Sequence, residues 1–196
     1  MMTDPEELLP PYDGIKLADV RMVKSEQDAA DDLAALSAMD VIGFDTESKP
    51  TFLKGEVSTG PHLVQLATDD AAYLFQIGAA PAAGVSLPVL KAVLESPAIL
   101  KVGFGLADDV KRLRAKLGID ARNVLDLSTA LRKGERNTLG AKTAVARFFG
   151  QKLQKSKKIT TTNWSLPRLS EKQILYAADD AHVALRIYRH WRAAQP

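Results

Sequence analysis

The feature that most constrains this chain is the segment Val41–Glu47, an apolar run that ends on two carboxylates. An apolar run that follows a polar, helix-like segment predicts a buried strand. Because side chains alternate between the two faces of a strand, Asp45 and Glu47 are expected to point the same way. Two neighbouring acids repel each other unless a cation or a proton compensates them, so the pair is a candidate divalent-metal site. A lone pair of this kind is more often the solvated end of a strand, and the choice depends on the rest of the chain.

Length and composition limit the fold and the kind of metal. The chain has 196 residues, 46% of them hydrophobic, which is enough for one domain with a full core. We expect an extended N-terminal arm over residues 1–18 and a single domain over residues 19–196. Cysteine is absent and the three histidines form no zinc motif, which leaves oxygen ligands and a hard ion such as Mg²⁺ or Mn²⁺. The chain begins with acidic residues and has no apolar run long enough to cross a bilayer, so we expect a cytoplasmic protein with no membrane partner.

The distribution of charge indicates a polyanionic partner. Residues 1–100 hold 6 Lys and Arg against 16 Asp and Glu, whereas residues 101–172 hold 17 against 6. Scattered basic residues usually solvate helices. Residues 151–158, however, lack apolar periodicity and are predicted to form a basic loop. A basic half of this kind is typical of proteins that bind nucleic acid.

The order of strands and helices predicts an α/β fold. The five main strands are expected at residues 41–47, 62–68, 71–77, 98–104 and 123–127, and residues 20–23 also have strand character. Helices are expected at residues 25–39, 86–95, 106–117, 138–149 and 170–191, and a short helix is expected after residue 127, up to about residue 132. Asp69 and Asp70 lie between two of the strands as a tight antiparallel turn, so the sheet is predicted to be mixed rather than wholly parallel.

Further acids stand where such a sheet brings them together. Asp108 and Asp109 follow the strand at residues 98–104, and two parallel strands deliver their acids to the same carboxyl edge. In the last helix Tyr176 and Asp180 share a face one turn apart, whereas Asp179 is expected at the surface. Acids at a helix N-terminus are also favoured by the helix dipole, so the signal lies in the joint pattern.

Three blocks of sequence carry a resemblance to a known family. They are residues 42–47, 101–108 and 169–181, with softer matches at residues 63–67, 126–127 and 163–165. In these blocks the chain resembles the DEDDy branch of the DEDD superfamily of 3'-5' exonucleases, which includes Werner-type exonuclease domains and ribonuclease D. The blocks occur in the family's order, and the resemblance as a whole covers roughly residues 20–191. The combination is far more specific than any single motif.

The resemblance implies a fold and a set of site residues. The fold would be ribonuclease H-like, with helices flanking a five-stranded mixed sheet of order 3-2-1-4-5 in which strand 2 is antiparallel. Two divalent cations, Mg²⁺ or Mn²⁺, would be held by Asp45, Glu47, Asp108 and Asp180, and Tyr176 would orient the attacking water. Asp109 stays an alternative to Asp108, although the family's Asp-x-x-Lys pattern at residues 108–111 favours Asp108.

The implied substrate is nucleic acid with a free 3' end, either single-stranded or recessed DNA, or RNA, from which nucleoside 5'-monophosphates are removed. The candidate substrate contacts are the backbone of Thr46 with the 3' hydroxyl, Phe104 with a base, and Lys157, Asn163, Trp164 and Arg168 with phosphate or sugar. Trp164, taken alone, is more often a packing residue. Residues 48–50 differ from the Trp-Pro often found after this motif, which affects the expected substrate preference.

Two other functions fit parts of the sequence. The same fold could bind nucleic acid without cleaving it, although all four acids and the tyrosine are present. A dinucleotide-binding oxidoreductase would explain Gly103-x-Gly105, but Asp108 stands where a third glycine is needed. The preference for DNA or RNA and the oligomeric state stay open.

Overall fold

The computed structural model describes residues 8–78, 82–132, 134, 137–154 and 156–195, without the side chains of residues 82, 83 and 157. The strands are β1 (Val20–Met22), β2 (Val41–Glu47), β3 (Leu63–Ala67), β4 (Ala72–Gln76), β5 (Leu100–Gly103) and β6 (Val124–Asp126). The helices are α1 (Glu26–Ser37), α2 (Ala82–Leu94), α3 (Ala107–Leu117), α4 (Leu127–Ala130), α5 (Ala141–Phe149), α6 (Lys157–Thr160) and α7 (Glu171–Ala193). The predicted basic loop at residues 151–158 is therefore wrong at its end, where α6 begins.

The strands form a single mixed sheet of order β1-β4-β3-β2-β5-β6. β3 is antiparallel to β2 and β4, whereas the β2–β5, β5–β6 and β1–β4 pairs are parallel. The predicted order of the five main strands and the ribonuclease H-like fold are confirmed. The predicted number of strands was too low by one, because Val20–Met22 pairs with β4 and extends the edge of the sheet. Strand character was expected at residues 20–23, but so short a segment does not show whether it joins the main sheet.

Helices cover both faces of the sheet, and the alternation along β2 assigns its side chains to them. Ile42 and Phe44 are fully buried in the core that the sheet forms with α1, α2 and α3. Val41 is buried in the opposite core, together with residues of α4, α5 and α7. Asp45 and Glu47 therefore leave the strand on the α7 side, and Thr46 leaves it on the α3 side.

The start of α7 is fixed by a capping box. The hydroxyl of Ser170 accepts a hydrogen bond from the backbone N–H of Gln173 at 3.3 Å, and the Gln173 side chain accepts one from the Ser170 N–H at 3.0 Å. Such reciprocal bonds satisfy backbone donors that the first turn leaves without helical partners. The cap thereby defines Glu171 as the first residue of α7.

The N-terminal segment packs against α7 through Asp179. The carboxylate of Asp179 accepts a hydrogen bond from the Ile15 N–H at 2.9 Å, and a Cβ built on Gly14 would lie 2.2 Å from the same oxygen. The prediction that Asp179 lies at the surface is wrong: the residue is half-buried, and burial raises its pKa to about 6. Residues 1–7 of the expected arm lie outside the described residues. None of the described helices is both long and apolar enough to cross a membrane.

Candidate active site

Three acids meet at the carboxyl end of β2. Asp45 and Glu47 come from the strand and Asp180 comes from α7, and each offers a carboxylate oxygen within 4.8 Å of the other two. Glu47 and Asp180 are 8% exposed, and Asp45 is half-buried. Three carboxylates crowded and largely buried in this way match the all-oxygen donor set that a hard divalent cation prefers. The predicted convergence of these residues, distant along the chain, is present in the structure.

A close approach between β2 and α7 makes this convergence possible. A Cβ built on Gly43 would lie 1.9 Å from the backbone carbonyl oxygen of Ala181, a distance that real side chains do not tolerate. Ala177, Ala178 and Ala181 are fully buried on the same side of the helix. Small residues on both elements let the helix backbone lie directly on the strand, which brings Asp180 to the level of Asp45.

Tyr176 lies one helical turn before Asp180 and is 9% exposed. Its hydroxyl is hydrogen-bonded to the hydroxyl of Thr160 at 2.9 Å. Its ring packs against Trp164, with the ring centroids 6.1 Å apart. Thr160 was not predicted from the sequence, because a threonine within Thr160-Thr161-Thr162 gives no signal that distinguishes it from its neighbours. The phenol is thus held in place from two sides.

Asp108 and Asp109 occupy different environments although they are neighbours. The side chain of Asp108 is 73% exposed and pairs with Lys111 at 3.7 Å. Asp109 is 8% exposed and accepts a short hydrogen bond from the hydroxyl of Thr46, the residue between Asp45 and Glu47. Burial raises the pKa of the Asp109 carboxyl, while the Thr46 hydrogen bond and the charge of Arg112 oppose the rise. The structure therefore brings Asp109 to the tip of β2 and leaves Asp108, the predicted ligand, in solvent.

The turn between β5 and α3 is held by a further acid, Asp126. Its carboxylate accepts hydrogen bonds from the N–H groups of Gly105 at 2.9 Å and Leu106 at 3.0 Å, and from the N–H and hydroxyl of Ser128 at 2.9 and 2.6 Å. These turn amides are the ones that a dinucleotide pyrophosphate would need, and a carboxylate already engages them. The structure therefore gives the oxidoreductase alternative no support.

The predicted substrate residues differ in how exposed their side chains are. Thr46 is 8% exposed, and Phe104 is half-buried against the core on the α7 side. Asn163 and Arg168 are exposed, and the Asn163 side chain accepts hydrogen bonds from the N–H and hydroxyl of Ser165.

Of the two remaining predicted substrate residues, only Trp164 has a described side chain, and it offers almost no surface to a ligand. Trp164 is 1% exposed and donates its indole N–H to the carbonyl oxygen of Thr160 at 3.3 Å, which is the contact of a packing residue. The side chain of Lys157 lies outside the described residues.

The loop after β2 is tied to α3 by Lys116, which the sequence did not single out. The Lys116 ammonium donates to the carbonyl oxygens of Thr59 and Pro61, both at 2.7 Å. His62, at the end of the same loop, accepts a hydrogen bond on Nδ1 from the Lys49 N–H at 3.0 Å. Lys116 is seven residues after Asp109, so the available signal was the helical spacing, which places both residues on the same side of α3.

Comparisons with known proteins agree with this geometry. A family model described as 3'-5' exonuclease matches residues 20–193. The bifunctional 3'-5' exonuclease/ATP-dependent helicase WRN of Mus musculus is 31% identical over 156 residues, which cover 79% of this chain and 11% of the relative. A 3'-5' exonuclease of Arabidopsis thaliana is 27% identical over 159 residues, which cover 78% of this chain and 53% of the relative. The chain thus spans at most about half the length of these two relatives.

A solved structure extends the likeness to the fold. The EXO domain of Aedes aegypti Nibbler superimposes with a TM-score of 0.75 at 25% identity, covering 90% of this chain and 88% of that chain. The resemblance inferred from the sequence blocks is confirmed. On the family match over residues 20–193, the chain belongs to the 3'-5' exonuclease family.

Proposed function

We propose that the chain is a metal-dependent 3'-5' exonuclease that releases nucleoside 5'-monophosphates from the 3' end of nucleic acid by hydrolysis of the phosphodiester bond. The observation that carries the proposal is the group formed by Asp45, Glu47 and Asp180, whose oxygens lie within 4.8 Å of one another. Membership of the 3'-5' exonuclease family supports the direction of digestion, which the site geometry alone does not specify.

The acids are suited to hold two divalent cations, Mg²⁺ or Mn²⁺. When bound, such a pair activates the attacking water and stabilises the leaving 3' oxygen. We propose that Asp45 would help to hold both ions and that Glu47 and Asp180 would help to hold one of them. Crowded acids are pre-organised for this role, because a cation relieves the repulsion between them.

We propose that Asp109, rather than Asp108, supports the second cation, either directly or through water. Its burial and its bond to Thr46 favour this choice, since both fix a carboxylate beside the strand that carries Asp45. An acid that is mostly solvated and paired with Lys111, as Asp108 is, lacks this pre-organisation.

Tyr176 is proposed to position the water that attacks the phosphorus. Its phenol can donate or accept one hydrogen bond without ionising. The Thr160 hydroxyl, at 2.9 Å, and the ring of Trp164 fix the phenol, so Trp164 contributes as a positioning residue rather than as a contact with phosphate. The backbone of Thr46, the ring of Phe104 and the side chains of Asn163 and Arg168 stay proposed contacts with the terminal nucleotides.

A digestion of 5'-labelled oligonucleotides tests the proposal. With Mn²⁺ or Mg²⁺ we expect a ladder of shortened products on DNA or RNA, lost on addition of EDTA and in Asp45→Ala. Asp109→Asn is expected to lower the rate by about 10²-fold or more, whereas Asp108→Asn keeps it within a few-fold. A shift in mobility without shortening would instead support the non-catalytic binding module. Equal losses in both asparagine variants would contradict the assignment of Asp109.

The expected cytoplasmic location is a separate prediction.

A further inference from the structure

A groove of about 510 Å³ lies between α3 and residues 57–60 of the loop that follows β2. We call it the α3 groove. The helical side is formed by Lys111, Arg112, Ala115 and Lys116, whose spacing places them on one face of the helix. Three of these four residues are cationic, and no acid is among the described residues that line the groove. The groove therefore presents positive charge in a concave surface.

The loop side of the groove is held in a fixed position. The Lys116 ammonium bonds the carbonyl oxygens of Thr59 and Pro61, as described above, and the N–H of His62 donates to the carbonyl oxygen of Glu47 at 2.8 Å. These contacts connect the loop to α3 at one end and to the acidic cluster at the other. The cationic surface is thus largely formed before any ligand binds, which reduces the entropic cost of binding.

The groove begins where the acidic site ends. Arg112 lines the groove and lies one helical turn after Asp109 on α3. Asp109 in turn bonds Thr46, the neighbour of Asp45. A polyanion that reaches the acidic cluster at the tip of β2 therefore meets the cationic face of α3 directly beside it.

We propose that the α3 groove binds the sugar–phosphate backbone of the substrate beyond the nucleotide that is being removed. This inference rests on the proposed exonuclease function and specifies how that same site holds its substrate. Lys111 and Arg112 neutralise phosphates, and Val57, which is 83% exposed on the loop side, offers apolar surface to sugars. The backbone comes either from the same strand on the 5' side of the scissile bond or from the complementary strand of a recessed duplex.

The negative charge of Asp108 is expected to weaken phosphate binding at the α3 groove. It lies 3.7 Å from Lys111 in a pair whose side chains are 73% and 78% exposed, so its charge opposes the approach of phosphate. Asp108→Asn is expected to tighten binding by about twofold at low salt, because a single exposed charge is strongly screened.

The test measures binding of fluorescein-labelled oligonucleotides by anisotropy in EDTA, where cleavage is absent. Lys111→Ala and Ala115→Glu change the charge of the groove, and Lys91→Ala and Ala92→Glu make the same changes at exposed positions of α2. The groove variants should raise Kd by about 3- to 10-fold. They should also reduce the slope of log Kd against log salt concentration by about 0.7 for each lost contact with a single-stranded phosphate. The α2 variants should match the wild type.

Two substrates distinguish whether the groove binds the backbone of the cleaved strand or that of the complementary strand. A loss on a single-stranded 12-mer assigns the groove to the cleaved strand, whereas a loss confined to a recessed duplex assigns it to the complementary strand. Wild-type affinity on both substrates, or an equal loss in the α2 controls, overturns the proposal. The two groove variants differ in chemistry, and thermal melting shows that each is folded.

A second readout keeps this inference separate from the proposed function. Hydrolysis of the p-nitrophenyl ester of thymidine 5'-monophosphate needs the acidic site without the groove, so Lys111→Ala and Ala115→Glu should hydrolyse it at the wild-type rate. If the wild type hydrolyses neither the ester nor an oligonucleotide with Mn²⁺, the exonuclease proposal fails, while the binding comparison still decides whether the groove takes nucleic acid. A loss of ester hydrolysis in folded groove variants would contradict a role restricted to the distal backbone.

Discussion

Replacing Gly43 with alanine is expected to separate the two halves of the acidic site. The new Cβ would lie 1.9 Å from the Ala181 carbonyl oxygen, whereas ordinary contacts begin at 3.4 Å, so β2 and α7 must move apart by about 1.5 Å. Asp45 lies two residues after the substitution on the same face of β2, and Asp180 is the neighbour of Ala181. The displacement therefore acts on the pair of carboxylates that is proposed to hold the metal.

The size of the effect follows from that displacement. A misplacement of about 1 Å at a reacting centre can cost roughly 10²-fold in rate, so we expect Gly43→Ala to lose at least about 10²-fold in kcat/KM. Overpacking costs about 1–3 kcal/mol of unfolding free energy, which corresponds to a fall of roughly 2–12 °C in Tm for a domain of this size. Activity would be measured well below the Tm, on the same labelled oligonucleotide and with saturating Mn²⁺.

Gly84→Ala is the matched control, because a Cβ at that position of α2 would have no atom within 4 Å. It should keep full activity and gain up to about 1 kcal/mol from better helix propensity. Gly43→Ala with activity within threefold of the wild type would refute the idea that the close approach of α7 sets the geometry of the site. A stable but inactive Gly43→Ala would support it most clearly.

Three further changes test other contacts. Thr160→Val removes the hydroxyl that is hydrogen-bonded to Tyr176. We expect kcat to fall several-fold, while the affinity for Mn²⁺, measured by calorimetry, is unchanged. A parallel loss of metal affinity would contradict a role limited to positioning. Asp126→Ala releases four hydrogen bonds at the β5–α3 turn and should lower the unfolding free energy in urea by roughly 2–3 kcal/mol; a loss below about 0.5 kcal/mol would show that the turn holds without it. Burial raises the pKa of Asp32 from 3.8 to about 6, so its ionisation should lower stability as pH rises from about 4 to about 6. Asp32→Asn should flatten that part of the Tm–pH curve, and an unchanged curve would contradict the burial effect.

Much of the fold was predictable because it follows from local pattern. The apolar run of β2, the hairpin between β3 and β4, and the alternation of strands with helices gave the order of the main strands. Strand character was expected at residues 20–23, but β1 was not counted in the predicted sheet, because its pairing with β4 is a tertiary contact that no local pattern shows. Strand and helix periods predict that Asp45 shares a face with Glu47 and that Tyr176 shares one with Asp180. That Asp180 joins the two strand acids was an expectation from the family resemblance.

The choice between Asp108 and Asp109 depends on which of the two faces the sheet. Two adjacent residues of a helix differ by about 100° in direction, so one faces the sheet when the other faces solvent. Which one faces the sheet depends on the rotation of α3 about its axis. That rotation is set by the burial of Leu113 and by the turn that Asp126 holds, both of which are tertiary features.

The central claim is that Asp45, Glu47 and Asp180 together hold a catalytic divalent cation. The most direct measurement is an anomalous difference map from crystals soaked with Mn²⁺ and a nucleoside 5'-monophosphate. We predict a manganese peak within coordination distance of all three carboxylates, with the phosphate of the nucleotide beside it. A manganese peak elsewhere, with no density between these acids although the nucleotide is bound, would contradict the claim.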